Sequence, residues 1–137
     1  MEWKGRDMMI QKFIELGEGY GDVYELCDLI EKNKDRFHSA FLFTSTKDEA
    51  KFCSLAVAFK AVGDSKFMPI YMCREGIPFD EQKKAQRIQL FEQAIAPLER
   101  TVNTLEVKHS STFANEKLYY QYLIGILRMN RYIPPMS

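Results

Sequence analysis

The sequence predicts a single α/β domain of the α+β kind, with a mixed, mostly antiparallel sheet of about five strands and three helices. Three observations carry that prediction. Apolar runs of strand length recur along the chain, stripes of apolar residues recur at helical spacing, and glycines, prolines and polar turns separate the two. Their order is β-α-β-β-β-α-β-α, which most simply gives a sheet with helices on one or both faces. The chain has 137 residues, 46% apolar and 28% charged, a mixture that excludes disordered, collagenous and low-complexity classes. No repeat, linker or composition shift divides it. Residues 9–137 therefore read as one domain, preceded by residues 1–8 as an extension open to disorder.

Residues 9 to 16 (MIQKFIEL) fit a short strand, and Gly17, Gly19 and Gly21 then break the chain. Asp22, followed by Glu25, is an acidic variant of the capping box. The helix it opens carries Val23, Leu26, Cys27 and Ile30 at i, i+3, i+4, i+7 spacing, with Phe37 past its end. Next come His38–Ser45 and Phe52–Val62, joined by the polar turn Thr46–Glu49. The second run is apolar on both alternating faces, as a central strand is. Gly63, Asp64 and Ser65 turn the chain into Lys66–Cys73, where Pro69 predicts an edge or a bulge. These three runs read as an antiparallel meander. Residues 80–96 predict a second amphipathic helix with Ala85, Ile88, Phe91 and Ile95 inward. A strand follows over Thr101–Lys108, with Leu105 and Val107 on one face. Ser110, Ser111 and Thr112 offer caps for a last helix that runs to about Arg128 and carries Tyr119, Tyr120, Tyr122, Leu123 and Leu127.

The 19 basic and 19 acidic residues cancel, which argues against a role in neutralising nucleic-acid phosphates or an anionic membrane. No apolar run is long enough to span a bilayer, and the charged N-terminus lacks a signal-peptide core, so a cytoplasmic protein is expected. Cys27, Cys53 and Cys73 form no CxxC pair and sit among apolar neighbours, as structural cysteines do. Two histidines, His38 and His109, are too few and too scattered for a transition-metal site. Neither a metal nor a cofactor is expected.

Gly17-Glu18-Gly19-Tyr20-Gly21-Asp22 lies where a phosphate-cradling loop would, between strand and helix. Its GxGxG spacing is wrong, and Glu18 and Asp22 put negative charge where an anion would sit. From Glu15 to Asp35, seven acids against Lys32 and Lys34 leave a net charge of −5. The polar face of an amphipathic helix accounts for that run, although it also suits a basic partner. The element order from Asp22 to Lys108 matches the core of restriction-endonuclease-like folds. The carboxylates that would hold magnesium there are missing from the meander, and Glu106-Val107-Lys108 follows the second helix. Topology alone does not carry that function.

Four stretches together carry a wider likeness: Phe13–Tyr20, Pro69-Ile70-Tyr71, Cys73–Pro78, and Leu123–Asn130 with Tyr132–Pro135. From about Met9 onward the chain resembles an uncharacterised family of short bacterial proteins of unknown function, some of whose members carry the label methylthioribose kinase. The resemblance implies no active site. The chain has no lysine-bearing phosphate loop, no His-Arg-Asp catalytic loop and no Asp-Phe-Gly metal site, so the kinase label does not fit it.

The sequence thus points first to a non-catalytic module that binds a protein partner or itself, a homodimer being plausible from its aromatic last helix. The alternative is an enzyme or small-ligand protein with a polar site near the Gly17–Gly21 and Cys73–Gly76 turns. Glu15, Glu18, Tyr20, Arg74, Glu75 and Arg128 are the candidate residues for it, if both turns share one end of the sheet. Neither reading has nucleic acid or membrane as partner.

Overall fold

The computed structural model describes residues 10–16, 21–63, 66–73 and 76–134. Its strands are β1 (Ile10–Glu15), β2 (Phe37–Lys47), β3 (Ala50–Phe59), β4 (Phe67–Met72), β5 (Ile77–Pro78) and β6 (Val102–Glu106). Its helices are α1 (Gly21–Lys32), α2 (Gln86–Ile95) and α3 (Glu116–Met129). All six strands join one sheet in the order β1-β4-β3-β2-β6, with β5 continuing the β4 side of β3. The fold class is therefore the predicted one. Three strand pairings are antiparallel (β2 with β3, β3 with β4, β3 with β5), while β1 with β4 and β2 with β6 are parallel. In consequence β3 alone runs against the other five.

The meander forms because β2 and β3 meet in a two-residue turn. Asp48 and Glu49 both take positive φ, 51° and 68°. That mirror-image turn matches the twist of the flanking strands, and glycine or asparagine normally fills it. Glutamate there is strained. Replacing Glu49 with Gly is expected to stabilise the protein by about 1 kcal/mol, read as a raised denaturation midpoint at unchanged slope.

Alternation along the strands sorts side chains between two cores. Leu42, Leu55, Val57 and Phe59 face α1 and α2, packing on Val23, Leu26, Ile30, Ile88, Phe91 and Ile95. Phe41, Phe43, Met68, Ile70 and Met72 face the other way, onto Leu123 and Leu127 of α3. As expected for a central strand, β3 is covered on both sides, with alanines 56 and 58 making room under α3.

Three local expectations are corrected. Pro69 lies neither on an edge strand nor at a bulge, since β4 sits between β1 and β3. The Cys73 N–H donates to Leu55, so the odd-numbered amides of β4 point toward β3. The β3–β4 ladder stops at Ile70, and the missing amide of Pro69 falls just beyond it. The second helix begins at Gln86 rather than near residue 80. The Asp80 carboxylate accepts the Gln82 N–H at 2.9 Å, and Ala85 is extended (ψ 147°), which holds the approach in a loop. Ser110–Thr112 form only a 3-10 turn, and Asn115 caps α3 by accepting the Leu118 N–H at 3.0 Å.

Candidate functional site

Because β1 and β4 are parallel, Glu15 stands beside Met72 at their common carboxyl end. The chain leaves β1 there toward Gly17–Gly21 and leaves β4 toward Cys73–Gly76. The two turns thus start from one end of the sheet, the position where open α/β sheets bind ligands. β6 also runs parallel to β2, so His109 and Ser110, just past its end, arrive at the same side. The amino end of α3 closes the space. A cleft of about 600 Å³ results, lined by Glu15, Met72, His109, Ser110, Asn115, Glu116, Tyr119 and Tyr120, with Phe113 at its wall.

Glu15 is tied to α3 through the Tyr120 hydroxyl, which donates to its carboxylate. Burial first, and then that carboxylate, hold the Tyr120 phenol far above its ordinary range, so it remains a proton donor. The Tyr120 ring is fixed by stacking on Phe13, with centroids 5.1 Å apart, and it meets Tyr119 at 5.5 Å. His109 is oriented by its own turn: Nδ1 accepts the Ser111 N–H at 3.1 Å, and its ring meets Phe52 edge-on at 6.0 Å. The cleft is therefore acidic and aromatic, with Glu15 and Glu116 as its carboxylates and no lysine or arginine among its lining residues.

Of the six residues singled out from the sequence, Glu15 lines this cleft. Glu18, Tyr20, Arg74 and Glu75 lie outside the described residues. Arg128 stands at the opposite end of β1, where Nε donates to Gln11 Oε1 at 2.9 Å and Nη2 donates to the same oxygen. Gln11 in turn donates to the Pro134 carbonyl at 2.9 Å. The separation follows from α3 running back along β1. The stretches Tyr120 to Arg128 in the helix and Gln11 to Glu15 in the strand both span about 12 to 13 Å at standard rises. Sequence reasoning missed Ser110, Asn115 and Glu116, and took Tyr119 and Tyr120 as core alone. The cap function of Asn115 was the available signal.

On the other face, the carboxylate of Asp22 in the first turn of α1 is buried, and its Oδ1 has no hydrogen-bond partner among the described residues. The phosphate-loop reading falls on residues 17–20, which lie outside the described residues. Burial pushes the Cys53 thiol up to about 12. Burial, and secondarily Asp22, push Cys73 well above its usual range. Both thiols stay protonated at neutral pH, a poor state for a nucleophile. Among the described residues, no group of three or more His, Cys, Asp or Glu is placed to hold a metal, and no helix is long and apolar enough to cross a membrane.

A sheet covered on both faces, with a polar cleft at its carboxyl end, defines an α+β protein. The chain belongs to the family described as Domain of unknown function (DUF7147), whose model matches residues 9–133. No curated protein and no solved structure matches it.

Proposed function

We propose that the protein binds a small polar molecule bearing a positively charged nitrogen in the cleft between Glu15 and the start of α3. The single observation that carries this reading is the fixed Glu15–Tyr120 pair in an acidic, aromatic-walled space of ligand size. Carboxylates supply charge-assisted acceptors for an ammonium group, and tyrosine faces attract cations. Asn115 and Ser110 add polar edges for hydroxyl groups.

A thermal-shift screen of amines, amino sugars and polyamines checks this. A cognate ligand at a hundredfold its dissociation constant should add about 2.7 kcal/mol of stability. Glu15→Gln should weaken that ligand about tenfold, the effect of losing one charge-assisted bond. If no cationic compound raises the melting temperature, the reading fails.

Self-association is a second reading, supported by one observation. Ile10, 59% exposed, starts β1 beside its register partner Phe67 at the start of β4, and β1 pairs only with β4 among the described strands. A concentration-independent monomer mass by light scattering would remove it.

A further inference from the structure

A second concave site lies at the other end of the sheet. β2 and β3 are antiparallel, so the start of one lies beside the end of the other. There the Lys60 N–H donates to the Arg36 carbonyl at 2.7 Å, and Arg36 Nη2 donates to the Lys60 carbonyl at 3.3 Å. β6 is parallel to β2, so Arg100, just ahead of it, reaches the same end and donates from Nη1 to the His38 carbonyl at 3.2 Å. From the α3 side, Arg128, Arg131, Tyr132, Ile133 and Pro134 join His38 around a cleft of about 610 Å³.

His38, Arg128 and Arg131 line the cleft itself, Lys60 and Arg100 act electrostatically on His38, and Arg36 lies at the same end of the sheet. Among the described residues none of them is in an ion pair. Arg128 donates to a neutral amide, Gln11, and burial lowers its pKa as expected for an uncompensated charge. Arg36 donates to Asn33 and to a carbonyl, and its Nε is buried with no acceptor among the described residues. Arg100 donates to a carbonyl and lies over the Phe37 ring at 5.7 Å. Asp35 and Glu99, the acids next to Arg36 and Arg100 in sequence, pair with neither.

We infer that this cleft binds the phosphate group of a small anionic metabolite, with Arg128, Arg131 and His38 as direct contacts and the other cations supplying the surrounding field. The Arg131 guanidinium fork and the Nη1 edge of Arg128, which Gln11 leaves open, suit a tetrahedral dianion. Tyr132, Ile133 and Pro134 give an apolar wall for the organic part. His38, Arg128 and Arg131 share one concavity, which favours a single small ligand over a nucleic-acid backbone.

His38 adds a proton linkage. Burial first, then Lys60 and Arg100, lower its pKa from the ordinary 6.5, and Arg128 and Arg131 face it from α3. The unliganded ring is therefore neutral at pH 7, with Nδ1 2.9 Å from Ser39 Oγ. A bound anion reverses that bias, so binding takes up a proton and tightens as pH falls from 8 to 6.

Titration calorimetry of the full chain with inorganic pyrophosphate tests the site. Saturable binding is expected, weakened about tenfold in Arg131→Asn. Arg131 has a φ of 61°, which Asn tolerates, so that variant should stay folded. Gln11→Glu should also weaken pyrophosphate binding, because it sets an internal carboxylate against Arg128. Sulfate, which does not titrate in this range, should bind more tightly at pH 6 than at pH 8, and His38→Gln should remove that difference. Glu15→Gln should leave all of this unchanged, which separates this site from the acidic cleft. Absence of saturation, or wild-type affinity in both Arg131→Asn and Gln11→Glu, would overturn the proposal. So would displacement of pyrophosphate by a short RNA at far lower concentration.

Discussion

Phe41→Ala is expected to lower the unfolding free energy by about 4 kcal/mol. Phe41 is fully buried in the middle of β2, stacked on Phe43 at 5.9 Å and edge-on to Tyr132 at 5.7 Å. Its register partner on β3 is Ala56, whose methyl group cannot swing in to fill the lost ring volume. The strand is held by β3 on one side and β6 on the other, so the backbone cannot close the hole either. Transfer and cavity costs therefore both apply. For a domain whose total stability is about 5 to 15 kcal/mol, such a loss leaves a substantial unfolded fraction at modest temperature. Urea denaturation measures it, as a lower midpoint at unchanged slope. A loss under about 1.5 kcal/mol would show that α3 can settle onto the sheet, contrary to the packing described.

Gln11→Ala should cost about 3 kcal/mol, through a different mechanism. Gln11 is a buried polar residue that serves Arg128 with its oxygen and the Pro134 carbonyl with its nitrogen. Truncation orphans a guanidinium edge and a carbonyl together, and an unpaired half-buried charge is the larger penalty. Gln11→Glu is the discriminating control. It restores an acceptor for Arg128 as an ion pair and sacrifices the bond to Pro134 and a weak one to the Met68 sulfur, so it should cost less than half as much. Equal losses in the two variants would mean that the Pro134 contact, not the arginine, is what Gln11 secures.

Most of the element order was legible because burial enforces periodicity. Val23, Leu26 and Ile30 had to share a helix face, and Phe52–Val62 had to be covered twice. Long-range pairing was not legible. Nothing local says that β1 inserts beside β4, and that placement is what moves Pro69 off the edge and allies Glu15 with Met72. Likewise Asp80 and Gln82 sit in a stretch whose apolar spacing suits a helix, yet a side-chain acceptor captured the backbone first. The sites were less legible still. Glu15 was visible as a strand-end acid beside glycines, but its partner Tyr120 lies in a helix rich in apolar and aromatic residues, where it passed for filler. The cations around His38 come from four separate segments, and a zero net charge hid them, since a sum carries no information about where its parts lie. Arg128 was placed with Glu15 on the expectation that polar residues gather at one end of the sheet. The antiparallel run of α3 along β1 sends it to the other.

The sheet order also sets how the chain can fold. Only β2 and β3 join through a two-residue turn, a closure on the microsecond scale. β1 must find β4 across more than fifty residues (Ile10 to Phe67), and β6 must find β2 across about sixty (Ala40 to Val102). Such distant pairings carry the loop entropy that slows folding toward milliseconds or longer. The central hairpin is therefore the expected nucleus. Both clefts assemble only when the outer strands dock, so a chain stalled at the hairpin stage would hold its aromatic core exposed and neither of its binding sites.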